Sequence, residues 1–467
     1  MNEIIKGFAT TESPLAADVL AQDSRPVPQC LIDEGNYLPR TTRVPHRTYF
    51  DRDYAALELE HVWKKCWQFA CREEDIPEVG DRYAYDVGPL SYIIVRSGEN
   101  AFKAFHNSCR HRGTRLCEKS MGGGEIRCPF HGWRWNLDGS LKEIPHRWDF
   151  PEAGEHLALD EITIGSWGGN LLVNLDPDCG PLEDALGVLP DHFSDFDLGR
   201  RFTVARTMKK LKANWKTSWA AFLEAYHLTD VHSDYIDIYA DVATKYDIFD
   251  SGKAKISRSL TSAAVASPNL GDKVTARDAA IQTLKFYEIS LGEAAAGTLP
   301  DYENMPDFGR KDVAEWRRSI MQQMMGVDVS QRCDAEILDG IQYAMFPNWG
   351  PWLGEGLPIM YQFLPYGDDP EESVFVIRMM VPLPDGAPAM AAAPMSYLDF
   401  DEFFDSLPEW QPFGTVLDQD MRIIPRIQAG LRAAAASSPD AQLARYQEQR
   451  VALLHEFVEE KIGEAAR

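Results

Sequence analysis

The sequence predicts an α+β protein, with a small β-domain placed ahead of a larger unit of antiparallel sheet and helices. The 467-residue chain is 45% hydrophobic and 25% charged, the balance of an ordinary soluble globular protein. At about 150 residues per domain it has room for roughly two to four domains. From Arg82 to His106, short runs rich in β-branched and aromatic residues alternate with glycine-containing breaks. Beyond residue 200, strand-like runs and helical periodicities interleave, with no internal repeat and only short biased tracts such as AAAASS.

After a polar N-terminal arm, Leu59, Val62, Trp63 and Cys66 recur at helical spacing and predict one amphipathic helix from Asp51 to Cys66. RYAYDV, SYIIV and AFKAFH predict strands, broken at Gly88-Pro89 and at Gly98-Glu99-Asn100. The apolar run from Leu171 to Leu175 and the turn-rich DPDCGP after it close this β-unit. The expected boundaries are 1–63 for the arm and first helix, packed on the larger unit, 64–167 for the β-domain and 168–467 for the larger unit.

In that larger unit RFTVAR predicts a strand and Trp215 to His227 a helix. The polar, small-residue stretch from Ser251 to Asp272 predicts a long loop of the kind that forms lids or mobile segments. Helical patterns return at Ala276 to Leu291 and at Lys311 to Met325, and YQFLPY and SVFVIRMMV predict two strands joined at GDDPEE. Ser438-Pro439-Asp440 offers an N-cap and a first-turn proline for a C-terminal helix.

A net charge of −25 repels polyanions, so nucleic acid is excluded as an expected partner. No apolar run is long enough to span a bilayer, and the opening MNEIIKGFATTESP lacks the apolar core of a leader, so neither a membrane nor secretion is expected and the location is read as cytoplasmic. Eight cysteines are too few for a disulfide scaffold, which directs attention to metal ligation.

Cys109-Arg-His111 and Cys128-Pro-Phe-His131 form a C-x-H and a C-x2-H pair with 16 residues between them. Two thiolates and two imidazoles suit tetrahedral zinc or a [2Fe–2S] cluster with two histidines on one iron. Gly113 and Gly132 provide for tight turns, and Trp133 and Trp135 for a water-excluding cover. Cys117 is off the motif and reads as a small buried hydrophobe. From Lys103 to Arg147 there are nine basic and four acidic residues, a local contrast suited either to an acidic electron donor or to subunit contacts and charge neutralisation.

Downstream, Asn214-Trp215-Lys216 precedes Glu224-Ala-Tyr226-His227 and then His232. On a helix, Glu224 and His227 would share a face. Two imidazoles plus one carboxylate make the facial triad of non-haem Fe(II) oxygenases, with open positions for dioxygen and substrate.

CRHRG and CPFHGWRW resemble the Rieske iron–sulfur signature. Thr114 and Phe130 stand where respiratory Rieske proteins carry two bridging cysteines, which points to the oxygenase and ferredoxin branch. Taken with the second motif, nearly the whole chain resembles the large (alpha) subunit of Rieske non-haem iron ring-hydroxylating oxygenases. That resemblance implies a Rieske β-domain joined to a catalytic helix-grip (START-like) domain. It implies cluster ligands Cys109, His111, Cys128 and His131, and Fe(II) ligands His227, His232 and a late aspartate ahead of Gln428-Ala-Gly430. Asp420 is the expected ligand and Asp418 the runner-up; Pro425 either aims that carboxylate or is ordinary helix punctuation.

The resemblance further implies that Glu224 takes the family's bridging position, linking His227 to His131 of the partner subunit within a head-to-tail trimer, homotrimeric or α3β3. The expected partners are a small-molecule substrate, dioxygen and a ferredoxin or flavin reductase. The expected reaction is hydroxylation, read first as cis-dihydroxylation of an aromatic ring. The alternative is monooxygenation or demethylation of a quaternary ammonium or other non-aromatic compound. Glu224, in place of the commoner Asp, and a shorter Asn-Trp-Lys-to-carboxylate spacing lean toward it. Ala220 and Ala221 replace polar residues of relatives, and Phe222 offers an apolar pocket wall. Two rivals from other classes are a pure electron carrier and a zinc-stabilised binding protein.

Overall fold

The computed structural model describes residues 15–465 apart from Lys119, Ser120, Ala153, Ala296 and Asp385; the opening stretch MNEIIKGFATTESP and Lys119 of the basic segment therefore lie outside the described residues. After two short helices, Ala16–Leu20 and Gln29–Ile32, come β1 (Arg43–Pro45) and a helix, Arg52–Glu58, whose N-terminus is capped by the Asp51 carboxylate accepting from Asp53 and Tyr54 N–H. This helix does not run on as a regular α-helix to Cys66: it widens into a π-helical turn at Leu59–Trp63, which buries Val62 and Trp63.

β2 (Gln68–Arg72), β3 (Arg82–Val87), β4 (Leu90–Gly98) and β5 (Ala101–His106) follow. A small sheet of β6 (Ile126–Arg127), β7 (Arg134–Trp135) and β8 (Leu141–Glu143) comes next, then β9 (Glu161–Trp167) and β10 (Asn170–Asn174). The larger of these sheets is six-stranded and antiparallel, in the order β2-β10-β9-β5-β4-β3. Its strand β10, buried throughout and paired on both sides, lies past the boundary expected at 167.

An eight-stranded sheet organises the remainder, in the order β12-β13-β14-β15-β16-β17-β11-β18. Its strands are β11 (Arg201–Leu211), β12 (Lys245–Asp250), β13 (Lys255–Thr261), β14 (Gly340–Ala344), β15 (Trp349–Leu353), β16 (Ile359–Pro365), β17 (Ser373–Pro382) and β18 (Met395–Leu398). All pairings are antiparallel except β11 with β18. The expected helices appear at Ala276–Leu291, opened by a Thr275/Asp278 capping box, and at Arg310–Met325, closed by left-handed Gly326. Two more helices, Phe413–Ala434 and Gln449–Ala465, pack against the sheet.

Two expected segments fold differently. Ser251 to Asp272 is not a long loop, because β13 runs through it as an inner strand. Its small polar side chains are buried hydrogen-bond partners: Ser257 and Ser259 accept from a buried guanidinium, and Arg258 pairs with Asp247. Ser438-Pro439-Asp440 does not start the last helix either. Pro439 carbonyl accepts from His46 N–H, Asp440 opens β19 (Asp440–Gln442), and β19 pairs with β1, tying the N-terminal arm to the larger unit.

The two units share one core, in which Tyr83, Tyr85 and Tyr92 of the small domain join Phe363, Phe375 and Trp219 of the large one. Buried polar ties fix their orientation. Asp75 accepts from Arg378 and pairs with Arg206, while Asn348 bonds both backbone groups of Phe69 and the Tyr85 hydroxyl. Among the described residues, no helix is long and apolar enough to cross a membrane.

Candidate metal centres

Two loops with matching hydrogen bonds present the first ligand set. Cys109 N–H donates to Thr114 carbonyl and Gly113 N–H to Cys109 carbonyl; Cys128 N–H donates to Trp133 carbonyl and Gly132 N–H to Cys128 carbonyl. Each loop closes through a glycine at positive φ, 78° at Gly113 and 73° at Gly132, where a side chain would be strained. Buried Asn107 fastens the first loop from behind, its Oδ1 accepting from Leu116 and Cys117 N–H and its Nδ2 donating to Cys117 carbonyl. Cys117 is thus part of the loop's packing, buried in the domain core.

The Cys109 and Cys128 thiols are buried side by side, within hydrogen-bonding reach, and the His111 and His131 rings sit 4.8 Å apart. Burial chiefly, with the Cys128 thiol, pushes the Cys109 thiol up; burial and the charges of His131 and Arg112 push His111 down, toward its neutral, ligating form. His111 Nδ1 is buried without a hydrogen-bond partner, an orphan that a metal ion would satisfy. Trp133 stacks flat on His111 at 4.9 Å and Phe150 meets it edge-on, so Trp133 supplies the cover, whereas Trp135 is fully buried with its indole N–H on Leu157 carbonyl. His131, beside Phe130, is exposed.

The basic contrast around this site is largely neutralised within the domain. Lys103 pairs with Glu161, Arg110 with Asp160, Arg115 with Asp86, and Arg134 and Lys142 with Glu125. Three of those acids lie outside the counted window, which is why sequence counting overstated the charge.

The second set is assembled from a turn and a distant helix. The helix that begins at Trp215 ends at Ala220; Phe222 and Leu223 N–H bond three residues back, and Glu224 and His227 lie beyond the helix. The expected single helix fails because the Glu224 carboxylate takes both His227 N–H (3.0 Å) and His227 Nδ1–H (2.6 Å), replacing helical backbone bonds. His232 ends the short helix that follows, and its Nδ1–H donates to Gln419 Oε1 at 2.6 Å.

Both histidines therefore turn Nε2 toward Asp420, whose Oδ1 is 3.5 Å from His227 Nε2 and 3.3 Å from His232 Nε2. One ligand atom from each of these three residues lies within 4.8 Å of the others. Asp420 Oδ1 is buried and otherwise without a hydrogen-bond partner, as the donor set of a divalent ion requires. Burial works against a charged His227, but Glu224 and Asp420 hold it up to about 9, so an incoming ion displaces a proton from Nε2.

Asp418, the runner-up, is not part of that cluster: its two oxygens accept from Phe404 and Asp405 N–H at 2.8 and 2.9 Å. Pro425 leaves the helix Phe413–Ala434 unbroken. Gln428, on the same helix as Asp420, ties that helix to the rest of the unit: its Oε1 accepts from Asn214 N–H and the Thr217 hydroxyl, and its Nε2 donates to Tyr49 carbonyl. Asn214 in turn caps the helix that leads toward His227, and Lys216 is buried against Glu58. The two sequence motifs thus meet, joining the helix that carries Asp420 to the helix that leads toward His227. Gln419 was missed by sequence reasoning; its only signal was adjacency to Asp420.

The triad lines a cavity of about 160 Å³ with Phe222, Tyr235, Tyr239, Phe286, Trp352 and Tyr361 among its walls. Ala221 lines it too, leaving Gln419 and Glu224 as the polar supports of the histidines.

A Rieske-type set of two cysteines and two histidines, in one chain with a two-histidine, one-carboxylate triad, defines a Rieske non-haem iron oxygenase. Residues 66–153 match the Rieske [2Fe-2S] domain and residues 199–464 the ring hydroxylating alpha subunit (catalytic domain), and the chain belongs to that family. The two matched domains imply the family's two cofactors, a Rieske cluster and a mononuclear iron, and the residues described above are the candidate ligands for each. The chain is 24% identical over 404 residues to the glycine betaine monooxygenase oxygenase subunit of Chromohalobacter salexigens, covering 84% of this chain and 80% of that one. Its fold matches a quaternary ammonium Rieske monooxygenase in complex with L-carnitine (TM-score 0.60, 16% identity, 93% of this chain and 99% of that one). It equally matches a naphthalene 1,2-dioxygenase mutant bound to phenanthrene (TM-score 0.61, 15% identity, 92% and 95%).

Proposed function

We propose that this oxygenase inserts one oxygen atom into a C–H bond of a quaternary ammonium compound, the second of the two substrate classes left open by the sequence. The carrying observation is the cavity wall: aromatic rings with two carboxylates, Glu224 and Asp420, and no lysine or arginine among its described lining residues. Aromatic faces attract a desolvated alkylammonium, and such cages suit a cation that cannot donate hydrogen bonds. The similarity to a glycine betaine monooxygenase supports the same reading.

When bound, the Rieske cluster passes single electrons and the mononuclear iron activates dioxygen. The chain's own groups prepare that site. Glu224 and Gln419 each hold an imidazole N–H, fixing tautomer and ring orientation, and Asp420 contributes the anionic ligand. Phe222, stacked on Phe375 and edge-on to Tyr361, keeps water from the apolar side. Glu224 is only partly buried and retains free lone pairs, as a bridge to exposed His131 of the partner subunit needs. Two electrons from a ferredoxin or reductase and two protons convert the second oxygen atom to water.

Product analysis tests this. Reconstituted with a reductase, the enzyme is expected to turn over glycine betaine, choline or γ-butyrobetaine with consumption of one dioxygen per hydroxylated product. A cis-dihydrodiol from naphthalene or toluene, with no turnover of the ammonium compounds, would reinstate the aromatic reading.

A further inference from the structure

One face of the cavity carries polar groups that the metal site does not use. Ser259 on β13 and Gln342 on β14 are directly opposite each other in the antiparallel register, and Trp352 on β15 is opposite Gln342. Opposed residues in a sheet project from the same face, and all three line the cavity. The row therefore reads serine, glutamine, tryptophan: two hydrogen-bonding groups, then the start of the aromatic wall.

Behind the first two stands Arg450, fully buried on the C-terminal helix. Its Nη1 donates to Ser259 Oγ at 2.7 Å and to Gln342 Oε1 at 2.9 Å, and its Nε donates to Ser257 Oγ. A guanidinium only donates, so the Gln342 atom facing it is the amide oxygen and the NH2 group points elsewhere. Ser259, accepting from Arg450, likewise keeps its own hydroxyl hydrogen free to donate. Gln342 Nε2 is buried and has no hydrogen-bond partner. Gln342 itself is 2% exposed, so this donor is desolvated as well as unpaired.

Among the described residues no carboxylate pairs with Arg450, and burial pushes its guanidinium down to about 9, still charged at neutral pH. Its Nη2 is buried without a partner. A buried, uncompensated positive charge behind two unspent donors is the electrostatic complement of an anion.

We propose that Ser259 and Gln342, held and polarised by Arg450, form a carboxylate-binding subsite of the substrate cavity. A zwitterion would place its carboxylate on this pair and its alkylammonium against the neighbouring aromatic wall at Trp352 and Tyr361, which meet edge-to-face at 5.6 Å. The cation end rests on the function proposed above; the carboxylate end does not.

The test is calorimetric binding to the oxidised holoenzyme, with γ-butyrobetaine, choline and benzoate as probes. Gln342→Met keeps the side-chain length and removes the donor. It is expected to weaken γ-butyrobetaine by about tenfold to a hundredfold and leave choline, which has no carboxylate, within about twofold. Ser259→Ala is expected to act in the same direction and carries the comparison if Gln342→Met loses its cluster absorption. Equal effects on the two ammonium compounds, or none, overturn the subsite. If the wild type binds benzoate but neither ammonium compound, the function proposed above fails, and Gln342→Met must still weaken benzoate. If the wild type binds neither γ-butyrobetaine nor benzoate, the subsite is wrong.

Discussion

The Rieske ligands and the mononuclear ligands are both four- or three-residue sets, yet the chain builds them in opposite ways. Cys109, His111, Cys128 and His131 sit on two short loops, each closed by its own backbone hydrogen bonds and its own positive-φ glycine. His227, His232 and Asp420 come from a turn and from a helix far along the chain, a helix that Gln428 ties to Asn214 and Thr217 and Gln419 to His232. The first site is encoded locally and the second by tertiary packing. Disruption of packing should therefore empty the second while sparing the first.

The largest effects separate the two centres outright. Asp420→Ala is expected to abolish turnover, by about a thousandfold or more, with the visible Rieske spectrum retained. Asp418→Ala, two residues away, should keep both irons and most activity and cost about 1–2 kcal/mol of stability, because it removes only the acceptor for Phe404 and Asp405 N–H. Iron analysis with thermal melts checks both, and equal iron loss in the two variants would reverse the ligand assignment.

Glu224→Gln should retain both metal sites and lose coupled turnover. Gln419→Leu, which frees His232 Nδ1, should cost about tenfold to a hundredfold in iron affinity or activity. Normal turnover in Glu224→Gln would remove that carboxylate from the electron path.

The smallest effect concerns the shared scaffold. Burial, reinforced by Lys216, pushes His455 down to about 3, so this ring stays neutral in the folded protein, bonded to Tyr49. The unfolded chain binds that proton near pH 6.5. Its contribution is therefore full above pH 6.5 and falls by about 1.4 kcal/mol per pH unit as pH drops toward the folded value. Melting midpoints between pH 7 and pH 5 should fall less steeply in His455→Gln than in the wild type.

The same contrast explains what the sequence disclosed. The cluster motif is legible because all its ligands and glycines lie within one stretch of chain. The Glu224, His227 and His232 motif took its meaning from the Rieske-like motif upstream, and the setting of Glu224 and His227 was misread as helix, since the Glu224 carboxylate's capture of the His227 amide is a side-chain effect that periodicity does not register. Asp420 was preferred to Asp418 because the resemblance places a late aspartate ahead of the Gln428-Ala-Gly430 pattern; in the structure the Asp418 carboxylate accepts from two backbone amides, while Asp420 Oδ1 is left unbonded beside two imidazoles. Ser259 was hidden inside an apparent loop, because a strand whose buried face is polar lacks the hydrophobic alternation by which strands are recognised.

Mössbauer spectroscopy of anaerobically purified wild type and Asp420→Ala tests most directly whether one chain holds two independently built iron centres. The wild type should show two kinds of iron, about two parts cluster to one part mononuclear, and Asp420→Ala should lose only the smaller. A single iron species in the wild type, or loss of both together in the variant, would contradict it.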